Sequence, residues 1–148
     1  MPTKLIFILL LLLFACQPAE KTETSPTISH YVSERTKTYD LPFSDAVRVG
    51  KMLYLSGKIG RVPGEHEGIE AESRVALERI REVLEANGSS FEQVVKVTVM
   101  LADMEEWAAF NEVYVEYFPK NRPARSAFAA SGLAVDSRVE IECIATVN

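Results

Sequence analysis

The sequence predicts an α+β domain over residues 29–148, with two helices packed on one face of a mixed β-sheet. Several segments alternate apolar and polar residues with period two, which is typical of half-buried strands. Two other segments repeat apolar residues at spacings of three and four, which indicates amphipathic helices. Because both helices are expected on one face, the other face of the sheet must meet solvent or another subunit.

The first half of the domain predicts three strands. Residues 29–38 alternate weakly and suggest an edge strand. Ser44–Val49 and Met52–Ser56 read as two further strands, and Gly50-Lys51 between them is a two-residue hairpin signal. Ser56-Gly57 ends the third strand, where glycine permits a bend or the close approach of another group.

The second half predicts helix, strand, helix and two strands. The first helix begins at Ile69 and ends at the Asn87-Gly88 C-cap signal. Val94–Leu101 is a strand expected to bury Val95, Val97, Val99 and Leu101 on one face. The next helix runs from a capping-box-like start at Asp103 and Glu106 to about Phe118. Its expected buried stripe comprises Trp107, Phe110, Asn111, Tyr114, Tyr117 and Phe118.

The last predicted strands, 125–130 and 138–147, carry the charged residues of greatest interest. Arg125 lies among small residues, and Glu140 and Glu142 fall on the face opposite a row of apolar residues. One cation and two carboxylates on neighbouring segments could bind a small acid and steer a proton or a water. A surface ion pair on an ordinary antiparallel strand explains the same pattern, and spacing leaves both interpretations open.

Residues 1–15 read as an export signal: Lys4 precedes an apolar run that is shorter than the roughly 20 residues of a membrane span. The run ends at Leu13-Phe14-Ala15-Cys16, which resembles a bacterial lipobox and implies lipid attachment at Cys16. Residues 16–28 then form a polar tether. These features predict an exported lipoprotein, anchored by its lipid on the periplasmic side of a bacterial membrane. Secretion with cleavage nearby is the alternative.

Composition argues against several classes of function. Without residues 1–15 the chain has 15 basic and 21 acidic side chains, a formal charge of −6, because that segment contributes only Lys4 to the totals of 16 and 21. This acidity argues against a nucleic-acid partner. His30 and His66 lack ligand spacing, so no metal site is expected. Cys143 lies on the apolar face of its strand and suits core packing better than nucleophilic catalysis. Asn111 could hold a neighbouring loop or line a pocket.

Several motifs together resemble the RidA/YjgF family of imine and enamine deaminases, also called the L-PSP endoribonuclease family. The resemblance runs from about Leu41 to the C-terminus and is carried by L-P-F-S-D-A-V-R-V-G, L-S-G-K-I-G, A-N-G-S-S-F-E-Q-V-V-K-V-T-V-M-L-A-D-M, F-N-E-V-Y-V-E-Y-F, R-P-A-R-S-A-F and V-E-I-E-C-I-A. It implies a chorismate-mutase-like α+β fold and a homotrimer with clefts between subunits. It implies no cofactor.

The resemblance also assigns site residues. It implies that Arg125 binds the substrate carboxylate and that Glu140 positions the attacking water. Ser56, Gly57 and Asn111 would help to form the pocket, and Phe43 would supply its aromatic ring. Several positions depart from the family pattern: Phe43 replaces a tyrosine, Asp45 and Lys58 replace glutamines, and Ala127 replaces a cysteine.

The implied activity is hydrolysis of small 2-imino or enamine acids to 2-keto acids and ammonia, as in 2-iminobutanoate/2-iminopropanoate deaminases. Such chemistry needs an oriented substrate and an aligned water. An arginine that binds the substrate carboxylate and a glutamate that positions the water can supply both. Two other functions remain open. One is a non-catalytic protein that binds a small carboxylate in the same pocket. The other is ribonuclease activity, which the acidic composition disfavours.

Overall fold

The computed structural model describes residues 25–62 and 64–148 and has the expected α+β architecture. Six strands of a mixed sheet follow the order β1-β2-β3-β7-β5-β6, and the two-residue β4 also pairs with β7. Within this part of the chain β5 and β6 are parallel and the other pairs are antiparallel. The elements are β1 (Ile28–Tyr31), α1 (Glu34–Thr38), β2 (Ala46–Val49), β3 (Met52–Leu55), β4 (Lys58–Ile59), α2 (Ile69–Ala86), β5 (Val94–Leu101), α3 (Trp107–Tyr117), β6 (Ala124–Ala129) and β7 (Val139–Thr146).

The core lies between one face of the sheet and helices α2 and α3, as the sequence predicts. Alternate residues of β7 are buried on that face, so the predicted orientation of this strand is confirmed. Leu77 and Ile80 of α2 and Phe110 of α3 cover them from the helix side, each at most 1% exposed. Burial of this apolar surface is the main source of stability for the fold.

Helix α2 ends where the sequence predicts. The Asn87 side-chain amide donates to the Val83 carbonyl at 2.7 Å and so satisfies one of the last carbonyls of the helix. Gly88 follows with φ of +71°, a left-handed conformation that glycine adopts without steric cost. The chain can therefore turn sharply from α2 towards β5.

Residues 29–38 do not form one edge strand, which corrects the expectation for this segment. Strand β1 ends at Tyr31, and α1 follows. The Ser33 hydroxyl accepts a hydrogen bond from the Thr36 backbone N–H at 3.3 Å, and Glu34 lies in the first turn. A capping serine and an acidic first turn stabilise a helix start, and this local effect outweighs weak alternation.

Two apolar residues expected in the core are exposed. A register shift between Val94 and Lys96 turns Val95 outwards, leaving it 45% exposed, while Val94 is buried in its place. Trp107 begins α3 after a 3₁₀ turn and is 44% exposed, so it is not part of the buried stripe. The capping box is only half formed, because Asp103 accepts from the Glu105 N–H while Glu106 pairs with Arg138.

The sheet face away from α2 and α3 carries exposed apolar side chains. We call it the open face. Register places Ile28 on it with Tyr54 of β3 and Phe128 of β6, and these side chains are 60%, 45% and 48% exposed.

The predicted signal 1–15, Cys16 and the tether up to residue 24 lie outside the described residues. Within the described ranges no helix is long and apolar enough to cross a membrane.

Candidate functional site

Arg125 is held against three aromatic rings of α3. It lies on β6 and points to the helix-covered side of the sheet, where α3 packs. Its guanidinium carbon is 4.5 Å from the Tyr114 ring centroid, 5.7 Å from that of Phe110 and 5.9 Å from that of Trp107. Such cation–π contacts fix the orientation of a guanidinium and leave its N–H groups free for a carboxylate. We call this group the Arg125 half-site.

The contact of these rings with Arg125 is not apparent from the sequence. Rings spaced three and four residues apart on α3 predict a buried stripe, which is correct for Phe110 and Tyr114 but not for Trp107. The available signal was an arginine on the strand that directly follows an aromatic helix. Burial raises the pKa of Tyr114 to about 12, partly offset by the charge of Arg125, so this phenol stays neutral.

Asn111 is half-buried on α3, one residue after Phe110 and four after Trp107. It therefore belongs to the helix that carries the rings around Arg125.

Cys143 is 3% exposed in the core, and burial raises the pKa of its thiol to about 12. A neutral, enclosed thiol is a poor nucleophile, which agrees with its expected packing role.

Glu140 forms a second group around Gly57. It lies on the open face of β7, opposite Ile59 of β4. A Cβ atom added to Gly57 would come within 1.9 Å of the Glu140 Oε1 atom, so any side chain at position 57 would displace the carboxylate. Burial, with a smaller contribution from Glu142, raises the pKa of Glu140. A carboxylate with a raised pKa is a better proton acceptor than an ordinary one.

Ser56 shapes the Gly57 segment through its backbone contacts. Its hydroxyl donates to the Ser44 carbonyl at 2.6 Å, and its N–H donates to the Asp45 carbonyl at 3.0 Å. Both bonds tie the end of β3 to the start of β2. Phe43 is 45% exposed and lines, together with Gly57, a cleft of about 720 Å³. We call Phe43, Ser56, Gly57 and Glu140 the Glu140 half-site.

Two departures from the family pattern compensate each other. Lys58 donates a hydrogen bond to Asp45 in a buried ion pair, where the two residues are 8% and 4% exposed. The second carboxylate oxygen of Asp45 accepts from the Ser33 N–H at 2.7 Å. Burial alone would raise the pKa of Asp45, but these hydrogen bonds hold it well below its usual range. The pair therefore fixes β4, which begins immediately after Gly57, to the segment before β2.

The two half-sites do not meet within one chain. Arg125 points to the helix side and Glu140 to the open face, with β5 between their strands. Arg125 is level with Val97 and Glu140 with Met100, so their Cα atoms are about 10 Å apart along the strands and about 10 Å across them. A single protomer therefore does not bring both groups to one small molecule, whereas the resemblance implies a site in the clefts between subunits.

The comparisons with known proteins give the family. Residues 36–147 match the family described as Endoribonuclease L-PSP. The chain is 42% identical over 108 residues to human 2-iminobutanoate/2-iminopropanoate deaminase, covering 70% of this chain and 79% of the human one. It is 37% identical over 110 residues to the chloroplastic Reactive Intermediate Deaminase A of Arabidopsis thaliana, covering 72% of this chain but only 59% of that relative.

Solved structures agree with this result. A yeast protein superposes with a TM-score of 0.76 at 34% identity, covering 82% of this chain and 100% of the yeast one. A Mycobacterium tuberculosis member of the YjgF/YER057c/UK114 family superposes with a TM-score of 0.73 at 29% identity, with the same coverage of both chains. The predicted fold is confirmed, and the chain belongs to the Endoribonuclease L-PSP family, the RidA/YjgF family that its motifs resemble.

Proposed function

We propose that this protein hydrolyses small reactive 2-imino acids, and the enamines in equilibrium with them, to 2-keto acids and ammonia. The observation that carries the proposal is the pair of half-sites: a guanidinium held against aromatic rings and a glutamate with a raised pKa against Gly57. Relatives named 2-iminobutanoate/2-iminopropanoate deaminase at 42–43% identity support it.

In the proposed reaction Arg125 binds the substrate carboxylate through two parallel N–H···O hydrogen bonds. A water adds to the C=N carbon, and Glu140 accepts the proton that the water loses. The nitrogen takes that proton from Glu140, which gives a neutral tetrahedral carbinolamine and returns Glu140 to its ionised form. The carbinolamine hydroxyl then passes its proton to the nitrogen by way of Glu140, the C–N bond breaks, and ammonia leaves as the oxygen becomes the keto group. Alignment of the water and the substrate supplies most of the rate.

We further propose that the site is completed between two protomers of a homotrimer, the assembly implied by the family resemblance. The opposite orientations of Arg125 and Glu140 support this arrangement, because one chain cannot apply both groups to one small acid. The exposed apolar side chains of the open face are suited to subunit contact.

A direct assay tests the reaction. An amino-acid oxidase generates 2-iminopropanoate in situ, and the rates of imine decay and ammonia release are measured with and without the protein. The wild type should accelerate hydrolysis, and Arg125→Ala and Glu140→Ala should each lower kcat/KM by about 100-fold or more. Arg74→Ala is the matched control. Arg74 pairs with Glu116 on the outer surface of the helices, so its replacement should leave kcat/KM unchanged.

The second candidate is a binding protein for small carboxylates without turnover. The Arg125 half-site supports it on its own, because a guanidinium against aromatic rings binds a carboxylate whether or not Glu140 acts. Tight binding of pyruvate that Arg125→Ala abolishes, with imine decay no faster than the spontaneous rate, would favour this function.

We also propose export and lipid attachment at Cys16. The short apolar run and the sequence before Cys16 support the proposal. Expressed in a bacterium, the full chain should appear in the membrane fraction and carry a lipid-sized mass increase at its N-terminus. Cys16→Ser should move the protein out of that fraction, and equal membrane association of both forms would contradict lipid anchoring.

A further inference from the structure

The cleft beside Gly57 has features of a second binding site. It lies between the α1 region and α2, and the two half-sites use only its edge at Phe43 and Gly57. Four apolar side chains exposed on the molecular surface line it. They are Tyr39, Leu41, Phe43 and Val135, with exposed fractions of 68%, 37%, 45% and 61%. Clefts that combine an apolar wall with a few polar groups are the usual form of small-molecule sites.

Val135 presents its side chain at a conformational cost. Its φ is +51°, which is strained for a β-branched residue. The turn that holds it is fastened by Glu72, which is fully buried: its carboxylate accepts from the Ser137 hydroxyl at 2.9 Å and from the Arg138 N–H at 2.7 Å. Strain that a rigid surrounding maintains is often found where a side chain serves binding.

Among the residues that the structure describes, two arginines of the cleft have no acidic partner. Lys58 pairs with Asp45, and Arg61 pairs with Glu67 and Glu72. Within the described ranges no carboxylate lies within ion-pair distance of Arg35 or Arg79. Arg79 donates to the Ile59 carbonyl, and the Arg35 guanidinium lies 5.9 Å from the Tyr39 ring centroid. Burial and the neighbouring charge of Arg35 lower the pKa of Arg79, an effect that a bound anion would offset.

The ligand's charge follows from the whole lining. Four basic and three acidic side chains line the cleft, leaving one positive charge in excess, which suits a monoanion better than a phosphate dianion. They are Arg35, Lys58, Arg61 and Arg79 against Glu34, Asp45 and Glu82. The rings of Tyr31 and Tyr39 suit a planar apolar body. We propose that this cleft is a second site, separate from Arg125, which binds an aromatic monocarboxylate between Arg35 and Arg79.

Direct binding tests the proposal. The purified full chain is titrated calorimetrically with naphthalene-2-carboxylate and, as a matched neutral probe, with naphthalene-2-carboxamide. The carboxylate should bind at least about tenfold more tightly than the amide, because only the carboxylate pairs with the arginines. Arg35→Gln and Arg79→Gln should each weaken carboxylate binding about fivefold or more and leave amide binding nearly unchanged.

Controls separate this site from the proposed catalytic one. Arg74 lies on α2, as Arg79 does, but outside the cleft. Arg74→Gln should therefore bind both probes as the wild type does. Arg35 makes no side-chain hydrogen bond within the described residues, so Arg35→Gln tests the site even if Arg79→Gln unfolds the protein. Equal affinity for both probes, no binding, or loss of binding in Arg125→Gln rather than in Arg35→Gln would overturn the proposal. The readout does not depend on imine hydrolysis, so the two proposals can fail separately.

Discussion

At the scale of single residues, different surroundings shape Arg125 and Glu140, the two residues proposed to act on the substrate. Aromatic rings hold the arginine in place, whereas partial burial and the nearby Glu142 raise the pKa of the glutamate. The resemblance implies a role for both residues, because each lies within a distinctive motif. The sequence did not predict the aromatic cradle, because rings at helical spacing fit a buried stripe equally well.

Glu140→Gln should stabilise the protein at neutral pH. The native pKa of Glu140 is raised, so the ionised form disfavours folding, and this penalty is full only above the native pKa. The stabilisation relative to wild type should therefore shrink as the pH falls through the native pKa and vanish below the ordinary value. Thermal unfolding at pH 7 and pH 4, at equal protein concentration, measures it. A variant less stable than wild type at pH 7 would show that Glu140 ionises without penalty.

Glu142→Gln is the matched control. Glu142 is exposed and is the smaller of the two causes that raise the pKa of Glu140. Its replacement should change stability in the same direction but by less. An effect larger than that of Glu140→Gln would mean that repulsion between the two carboxylates, rather than burial, governs the site.

At the scale of elements, the link between β3 and β4 sets the position of Gly57 against Glu140. Three contacts hold it: the two hydrogen bonds of Ser56 and the buried ion pair of Lys58 with Asp45. The sequence marked Asp45 and Lys58 as departures from the family pattern. Their partnership was not predicted, because they are 13 positions apart and only the pairing of β2, β3 and β7 brings them together.

Replacing Asp45 and Lys58 singly and together tests this link. Asp45→Gln or Lys58→Gln alone should cost about 3–5 kcal/mol, because each leaves a buried charge without its partner. The double variant, which restores the family's two glutamines, should be markedly more stable than either single variant. Denaturant unfolding at pH 7 measures all four proteins. Additive losses would mean that the pair is not coupled.

The pH dependence of this pair has the opposite sign to that of Glu140. The native pKa of Asp45 is lowered, so its contribution to stability is present above the ordinary aspartate pKa of about 4 and is lost as the pH falls further.

Helix α1 shows how two local sequence signals compete within one segment. Ser33 is a cap signal and the weak alternation of residues 29–38 is a strand signal, and in the structure the cap prevails.

At the scale of the whole molecule, the open face and the separated half-sites point to assembly. The sequence indicated a second face of the sheet that another subunit could cover, and the structure places Tyr54 and Phe128 there with nearly half of each side chain exposed. The separation of Arg125 from Glu140 could not be predicted, because it depends on the strand order β7-β5-β6.

Phe128→Glu should dissociate the assembly without unfolding the protomer. A charge on the open face would be desolvated in a subunit contact but remains hydrated in a monomer. Sedimentation velocity should show a trimer for wild type and a monomer for the variant, and the far-ultraviolet circular dichroism of the two should match. Val115→Glu is the matched control, because Val115 is an exposed valine of α3 on the outer surface of the helices, and this variant should remain a trimer. A trimeric Phe128→Glu protein would place the contact elsewhere.

The most direct test of the central claim mixes two inactive variants. Arg125→Ala lacks the carboxylate anchor and Glu140→Ala lacks the proton acceptor, so neither should hydrolyse 2-iminopropanoate alone. Co-assembled in equal amounts, they should recover about one quarter of wild-type activity, because one in four randomly formed interfaces combines an intact Arg125 from one chain with an intact Glu140 from another. No recovery in verified mixed oligomers would contradict a site shared between protomers.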